Sequence, residues 1–207
     1  SNPWGRPARL ELSRGAIDYD VELVGRIPHG IAAATLYDPL PASGVPSDRV
    51  AVVFLSHRPG VHNGTTLECP FTPAVLADTA AHGTAQGEAF SLVSDTPVQV
   101  YDIIPYGGAS TYLPSASLIH PSTAWGDQYL VPSPHSTDGV EWILAVARED
   151  QTTVAFAPTV AMTPGSITEP PVGAVTHYVI DGFIWKMRKD EFAWRDITLG
   201  QIEAVGR

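Results

Sequence analysis

The stretch Ala89-Phe90-Ser91-Leu92-Val93-Ser94-Asp95-Thr96-Pro97-Val98-Gln99-Val100-Tyr101-Asp102-Ile103-Ile104-Pro105-Tyr106-Gly107-Gly108 decides the fold class. Two runs of β-branched and aromatic residues flank a Ser-Asp-Thr-Pro turn, and a Gly-Gly turn closes the second run. Side chains that pack on a pleated surface, punctuated by residues that cap and turn, read as strand, turn, strand, turn. The stretch holds no nucleophile elbow, phosphate loop or metal-ligand spacing.

The rest of the chain reads the same way. Gly 18 and Pro 19 are spread along 207 residues, a density that suits many short strands joined by turns. No segment sustains a helical period, so at most one or two helical turns are expected. Ile17 to Leu23 alternates strictly, which predicts a half-buried antiparallel strand with Asp18, Asp20 and Glu22 on its wet face. The continuous apolar run Val50 to Leu55 predicts a strand buried on both faces. Leu76 to Gly87 reads as a helical turn or ordered loop. Tyr129–Pro132 and Gln201–Val205 read as short strands. Glu141–Ala147 and Thr152–Pro158 are expected to form a hairpin across Glu149-Asp150-Gln151. His177–Ile180 and Phe183–Lys189 are expected to form another across Asp181-Gly182. A weak internal echo relates the Phe90 strand–turn–strand to Phe192 through Val205, about one sandwich domain apart. The expectation is therefore an all-β chain of antiparallel, sandwich-like modules, with a propeller-like repeat as the alternative.

Composition excludes several function classes. The formal charge is −10, and the sole basic run, Lys186-Met187-Arg188-Lys189, abuts Asp190 and Glu191. A nucleic-acid backbone or an anionic membrane surface needs a basic footprint. No window approaches the roughly 18 apolar residues of a spanning helix. Hydrophobic residues are 44% and charged residues 16%, a globular balance. A chain of this length buries roughly 70% of its unfolded surface and needs no staples. Ten of the twelve basic residues are arginine, which, with the abundance of Ala, Gly and Pro, suggests a GC-rich bacterial source.

Chemistry-bearing residues are present without the spacing that chemistry requires. His57, His62 and Cys69 share one loop and form the best metal hypothesis, but a zinc site needs a fourth ligand and tighter pairs. Ser56-His57 lacks the strand–turn–helix that holds a hydrolytic serine. Asp18, Asp20 and Glu22 lack a calcium loop's Gly-turn. Asn63-Gly64-Thr65 is a glycosylation sequon that reads better as an Asn-Gly turn. Glu149-Asp150 reads as turn chemistry, although a glycosidase carboxylate pair can be distant in sequence. Trp142 and Trp185 sit in apolar strands and are expected in a core. Trp125 and Trp194 sit in turn-like surroundings and are fairer candidates to stack a sugar. No catalytic, cofactor-binding or metal residue is assigned, and no cofactor is expected.

Several short motifs, in order, resemble the N-terminal domain family of the IgG Fc-binding protein, in its bacterial branch. They are Asp48-Arg49-Val50-Ala51-Val52-Val53-Phe54-Leu55-Ser56, Cys69-Pro70, and His82-Gly83-Thr84 leading to Ala89-Phe90. Val93-Ser94-Asp95-Thr96-Pro97-Val98 and Ile104-Pro105-Tyr106-Gly107-Gly108 follow. Last come Ala116 through Asp127 and Ala147-Arg148-Glu149-Asp150-Gln151-Thr152-Thr153-Val154. The resemblance is best over residues 45–160 and looser over 175–207. His120 departs from the apolar residue that similar sequences favour, which suggests a more exposed strand end.

The resemblance implies a β-rich extracellular or cell-surface module spanning 45–207, cut short at its C-terminal end, after an N-terminal β segment over 1–44. The expected function is non-enzymatic: adhesion, or a structural subunit of an extracellular assembly. A protein or glycan partner is expected, with self-association through β edges such as Glu141–Ala147 or Phe183–Lys189. The alternatives are a carbohydrate- or protein-binding module that does not polymerise, and a carbohydrate-active hydrolase using an Asp/Glu pair. Fc binding itself has no residue motif to carry it onto these positions.

Overall fold

A computed structural model describes residues 1–30, 36–56, 71–77, 79, 84–104, 115–132, 142–159, 161–162, 164–169, 171–180, 183–188 and 198–205. The described chain is all-β, with one α-helical turn and one 3-10 turn at Ser122–Ala124. It divides into two compact units: Ser1–Thr79 with Phe90–Pro121, and Ala80–Ala89 with Ser122–Arg207.

The first unit begins with β1 (Leu10–Arg14), β2 (Ile17–Tyr19), α1 (Val21–Val24), β3 (Gly25–His29), β4 (Leu36–Pro39) and β5 (Val52–Val53). It is completed by β7 (Phe90–Ser94), β8 (Val100–Ile104) and β9 (Ser115–Ile119). Two three-stranded antiparallel sheets result, in the orders β2-β1-β7 and β4-β3-β5, with β8 and β9 as a separate antiparallel pair. Leu12 of β1, Ile27 of β3, and Val21 and Val24 of α1 are buried in one apolar cluster with Ala8, Leu40 and Val45. Phe90 and Leu92 of β7 and Val53 of β5 pack against it. Two small sheets that share a core in this way make the unit sandwich-like.

The second unit carries β6 (Ala85–Glu88), β10 (Gln128–Pro132), β11 (Trp142–Val146), β12 (Thr152–Pro158), β13 (Thr176–Ile180), β14 (Phe183–Arg188) and β15 (Thr198–Val205). Its antiparallel sheets have the orders β10-β15-β12-β13 and β11-β14-β6. Val154, Ala155 and Phe156 are consecutive and all buried, so β12 is covered on both faces. Thr84 and Gly165 meet backbone to backbone, and a Cβ on Gly165 would overlap the Thr84 carbonyl.

Several expectations need correction. The alternating run from Ile17 stops as a strand at Tyr19. Asp20 then accepts from the amides of Glu22 (2.9 Å) and Leu23 (3.3 Å), capping a single helical turn. The buried pair there is Val21 and Val24, three apart, which is helical spacing. Val50–Leu55 is not buried on both faces. Its strand is only Val52–Val53, at the edge beside β3, and Val50 is exposed. Residues 85–88 form strand β6 where a helical turn or loop was expected.

The two expected hairpins are also absent. The strands stand where the sequence places them, but β11 pairs with β14 while β12 pairs with β13 and β15. Each connection therefore passes from one sheet to the other rather than folding back on itself. Phe183–Lys189 is not an edge, because β14 lies between β11 and β6. Of the proposed echo at 192–205, the structure describes Thr198–Val205, one continuous strand. Residues 192–197 lie outside the described residues.

Candidate interaction site

The Ser94-Asp95-Thr96-Pro97 turn is cross-linked to the N-terminal segment by polar contacts. β7 delivers Ser94, whose hydroxyl donates to the Thr96 carbonyl at 2.7 Å. Asp95 holds the turn against the N-terminal segment. Its Oδ1 accepts from the Arg9 amide at 2.9 Å and from the Thr96 hydroxyl at 3.1 Å. Its own amide donates to the Arg9 carbonyl at 3.2 Å, and Arg6 Nη2 donates to its carbonyl at 3.1 Å. The Arg9 backbone hydrogen bond, foremost, holds the Asp95 carboxyl below its ordinary range. Burial opposes it as the next-largest effect, and the Thr96 hydroxyl and the charges of Arg6 and Arg9 add to the lowering.

Asn2 fixes the segment that faces this turn. It is 1% exposed. Its Nδ2 donates to the carbonyls of Arg6 and Val45, both at 2.8 Å, and its Oδ1 accepts from the Trp4 amide at 3.1 Å. Its backbone pairs with Arg49 and Asp48. The Trp4 indole N–H then donates to the Pro97 carbonyl at 2.6 Å, while half of the Trp4 surface stays exposed. Trp4, Gly5, Arg6, Thr96 and Pro97 line an open, shallow, apolar-walled concavity of about 520 Å3. The Trp ring is therefore presented in one orientation, with its only donor already used.

A second depression, of about 490 Å3, lies between Leu10–Leu12 and Asp18–Glu22. It brings Glu11 beside the sequence-nominated Asp18, Asp20 and Glu22. Asp20 is occupied as the helix cap. Among the described residues no group of three or more His, Cys, Asp or Glu is arranged to hold a metal ion.

A third surface is the β8–β9 pair. Tyr101 stands opposite Leu118 and Ile103 opposite Ala116, so these four share one face of the ribbon. Tyr101, Ile103 and Leu118 are all exposed.

The other sequence-nominated residues are scattered. His57, His62, Cys69, Asn63-Gly64-Thr65, Pro105–Gly108 and Trp194 lie outside the described residues. Ser56 forms an isolated parallel bridge with Val75. Trp142 stands opposite Arg188, and Trp185 opposite both Ala145 and Gln86, in the β11-β14-β6 sheet. Trp125 follows the 3-10 turn and is 38% exposed, as a turn-like surrounding implies. Beside it the Tyr129 hydroxyl donates to the Gly126 carbonyl at 2.8 Å. Glu149 and Asp150 form an exposed turn in which Gln151 takes φ 57° and the Thr152 hydroxyl donates to the Glu149 carbonyl at 2.6 Å. His120 is exposed just past the end of β9. Trp4 carried no signal in the sequence reading; a tryptophan before a glycine near the first strand becomes meaningful only once Asn2 and Pro97 are placed around it.

The architecture defines the class: an all-β chain of small antiparallel sheets in two compact units. A family model described as IgGFc binding protein matches residues 115–183, 69 of the 207 residues. The match runs from β9 through β13 to the first residue of β14. It overlaps the resembling region at 115–160 and extends it to 183; residues 45–114 lie outside it. Comparisons with curated proteins and with solved structures return no match. No helix among the described residues is long and apolar enough to cross a membrane.

Proposed function

We propose that this chain is a non-enzymatic, secreted or surface-attached β module of bacterial origin that binds protein, in adhesion or as a subunit of an extracellular assembly. The observation that carries the reading is the family match across β9–β13, in a chain whose described strands pair antiparallel in small sheets. The family is described as IgGFc binding protein, which supports a protein partner and, since IgG is an extracellular protein, an extracellular address.

The structure suggests how such a partner would be held. β11 lies at the edge of its sheet, paired with β14 on one side only among the described residues. Its central residue Leu144 is exposed, and so is Val146. An edge strand with unpaired backbone groups and exposed apolar side chains is a template for strand addition from a neighbouring chain. Light scattering across a concentration series tests this. Wild type should rise in mass with concentration, and Leu144→Lys should stay monomeric, because a charge at the centre of an edge blocks pairing. A wild type that stays monomeric at every concentration removes the assembly reading.

A further inference from the structure

We infer that β11 of one copy of this chain accepts the β8–β9 ribbon of a second copy, with β9 pairing antiparallel to β11 and Leu118 opposite Leu144. The inference rests on the strand-addition reading of β11 and names the strand that it takes.

Three observations carry it. The first is which edges are bare. Two copies of net charge −10 repel over most of their surface, so a contact between them needs uncharged surface. Asp18 in β2, Asp38 in β4, Glu88 in β6, Asp102 in β8 and Pro132 in β10 guard their edges. Among the described edge strands of three or more residues, only β7, β9 and β11 carry neither an ionisable residue nor a proline. The second is uncovered apolar surface. β7 already packs Phe90 and Leu92 on the core of its unit. β8 and β9 pair only with each other among the described residues, yet Tyr101, Ile103, Leu118 and Ile119 are exposed. A two-stranded ribbon is marginal in water and gains from a third strand. The third is register. With Leu118 opposite Leu144, Ala116 stands opposite Val146. β8 then extends both rows, because Tyr101 faces Leu118 and Ile103 faces Ala116. Tyr101–Leu118–Leu144 and Ile103–Ala116–Val146 make one apolar face across the joined strands. A slip of one residue would carry Leu118 to the face of the buried Ile143. Asp102, the ribbon's one charged residue among those described, lies in the Ser117 row, with β9 between it and β11.

The two edges differ, so the contact is head-to-tail. Each copy keeps a β9 and a β11 to offer, and addition continues into a filament unless the rotation closes a ring. A β11–β11 pair would instead stop at a dimer and leave the ribbon uncovered.

The test mixes two full-length variants, each blocked on one edge: Leu144→Lys on β11 and Ser117→Lys on β9. Both positions are exposed, and circular dichroism with thermal melts checks that each variant folds. Light scattering over a concentration series reads the mass; one strand pair is a small interface, so the series runs to high concentration. Wild type should grow beyond a dimer and each variant alone should stay at the 22.1 kDa of one chain. The equimolar mixture should double that mass and stop, because only one working β9 meets one working β11. If wild type assembles and Ser117→Lys assembles equally well, the β9 partner is overturned while strand addition at β11 stands. A mixture that stays monomeric beside an assembling wild type overturns the β9–β11 pairing. A wild type that is monomeric throughout overturns both readings.

Discussion

Asn2→Ala should destabilise the first unit by about 2–4 kcal/mol, although it removes one small side chain near the first residue of the chain. The figure follows from what the amide holds. Asn2 is 1% exposed and makes three side-chain hydrogen bonds. The Val45 carbonyl keeps a second donor, the Ala8 amide at 2.9 Å, so its loss is small. The Arg6 carbonyl and the Trp4 amide have no such replacement among the described residues, and each lost bond costs roughly 1–3 kcal/mol when the partner stays dry. In a domain of this size that lowers the melting temperature by about 10–25 °C. Asn2→Asp should be worse near neutral pH. It keeps the acceptor for Trp4 but turns a carboxylate oxygen toward two carbonyl oxygens. That repulsion raises the aspartate pKa in the folded state, so the deficit should shrink as pH falls and the group protonates. Calorimetry and urea unfolding of the three proteins at pH 7 and pH 4 read both effects. If Asn2→Ala lies within 0.5 kcal/mol of wild type, the amide is not the fastener described and the ordered presentation of Trp4 loses its physical basis.

Other outcomes follow from the same contacts. The Asp95 carboxyl is held below its ordinary value near 3.9 by the Arg9 backbone hydrogen bond, so its stabilising effect is present above that pH and is lost as pH falls through the lower folded value. Asp95→Asn should remove that acid-dependent part of a stability–pH curve. Phe156→Ala, at a fully buried position of β12, should cost about 3–5 kcal/mol by urea unfolding. Gly44 takes φ +94°, and a Cβ there would overlap the Ala8 carbonyl. Gly44→Ala should therefore exceed about 2 kcal/mol of destabilisation by the same measurement, whereas Gly126→Ala, with nothing nearby, should stay within about 1 kcal/mol.

Strand positions were legible because composition reports them locally. The runs at Phe90–Ser94, Val100–Ile104, Trp142–Val146 and Thr152–Pro158 stand as strands where β-branched and aromatic residues concentrate. Pairing was not legible, because the choice of neighbour is made by burial far along the chain. Glu149-Asp150-Gln151 does turn, yet the strands on either side enter different sheets. The break at Asp20 was readable in principle. An aspartate before Val-Glu-Leu-Val is a helix cap, but the alternation around it is equally good strand pattern, and tertiary burial of Val21 and Val24 decides between them. The Ser94–Pro97 turn was visible in its residue types, whereas its partners Trp4, Arg6 and Arg9 lie some 90 residues away, and no local pattern announces a contact at that separation.

The proposal of an extracellular, protein-binding β module is met most directly by imaging the native material. Cells that produce the chain should be labelled with gold-conjugated antibody and examined, with their secreted fraction, by negative-stain electron microscopy. The account predicts label outside the cell, on filaments, lattices or surface appendages. Label confined to the cell interior, or only single unassociated particles in the secreted fraction, would contradict it.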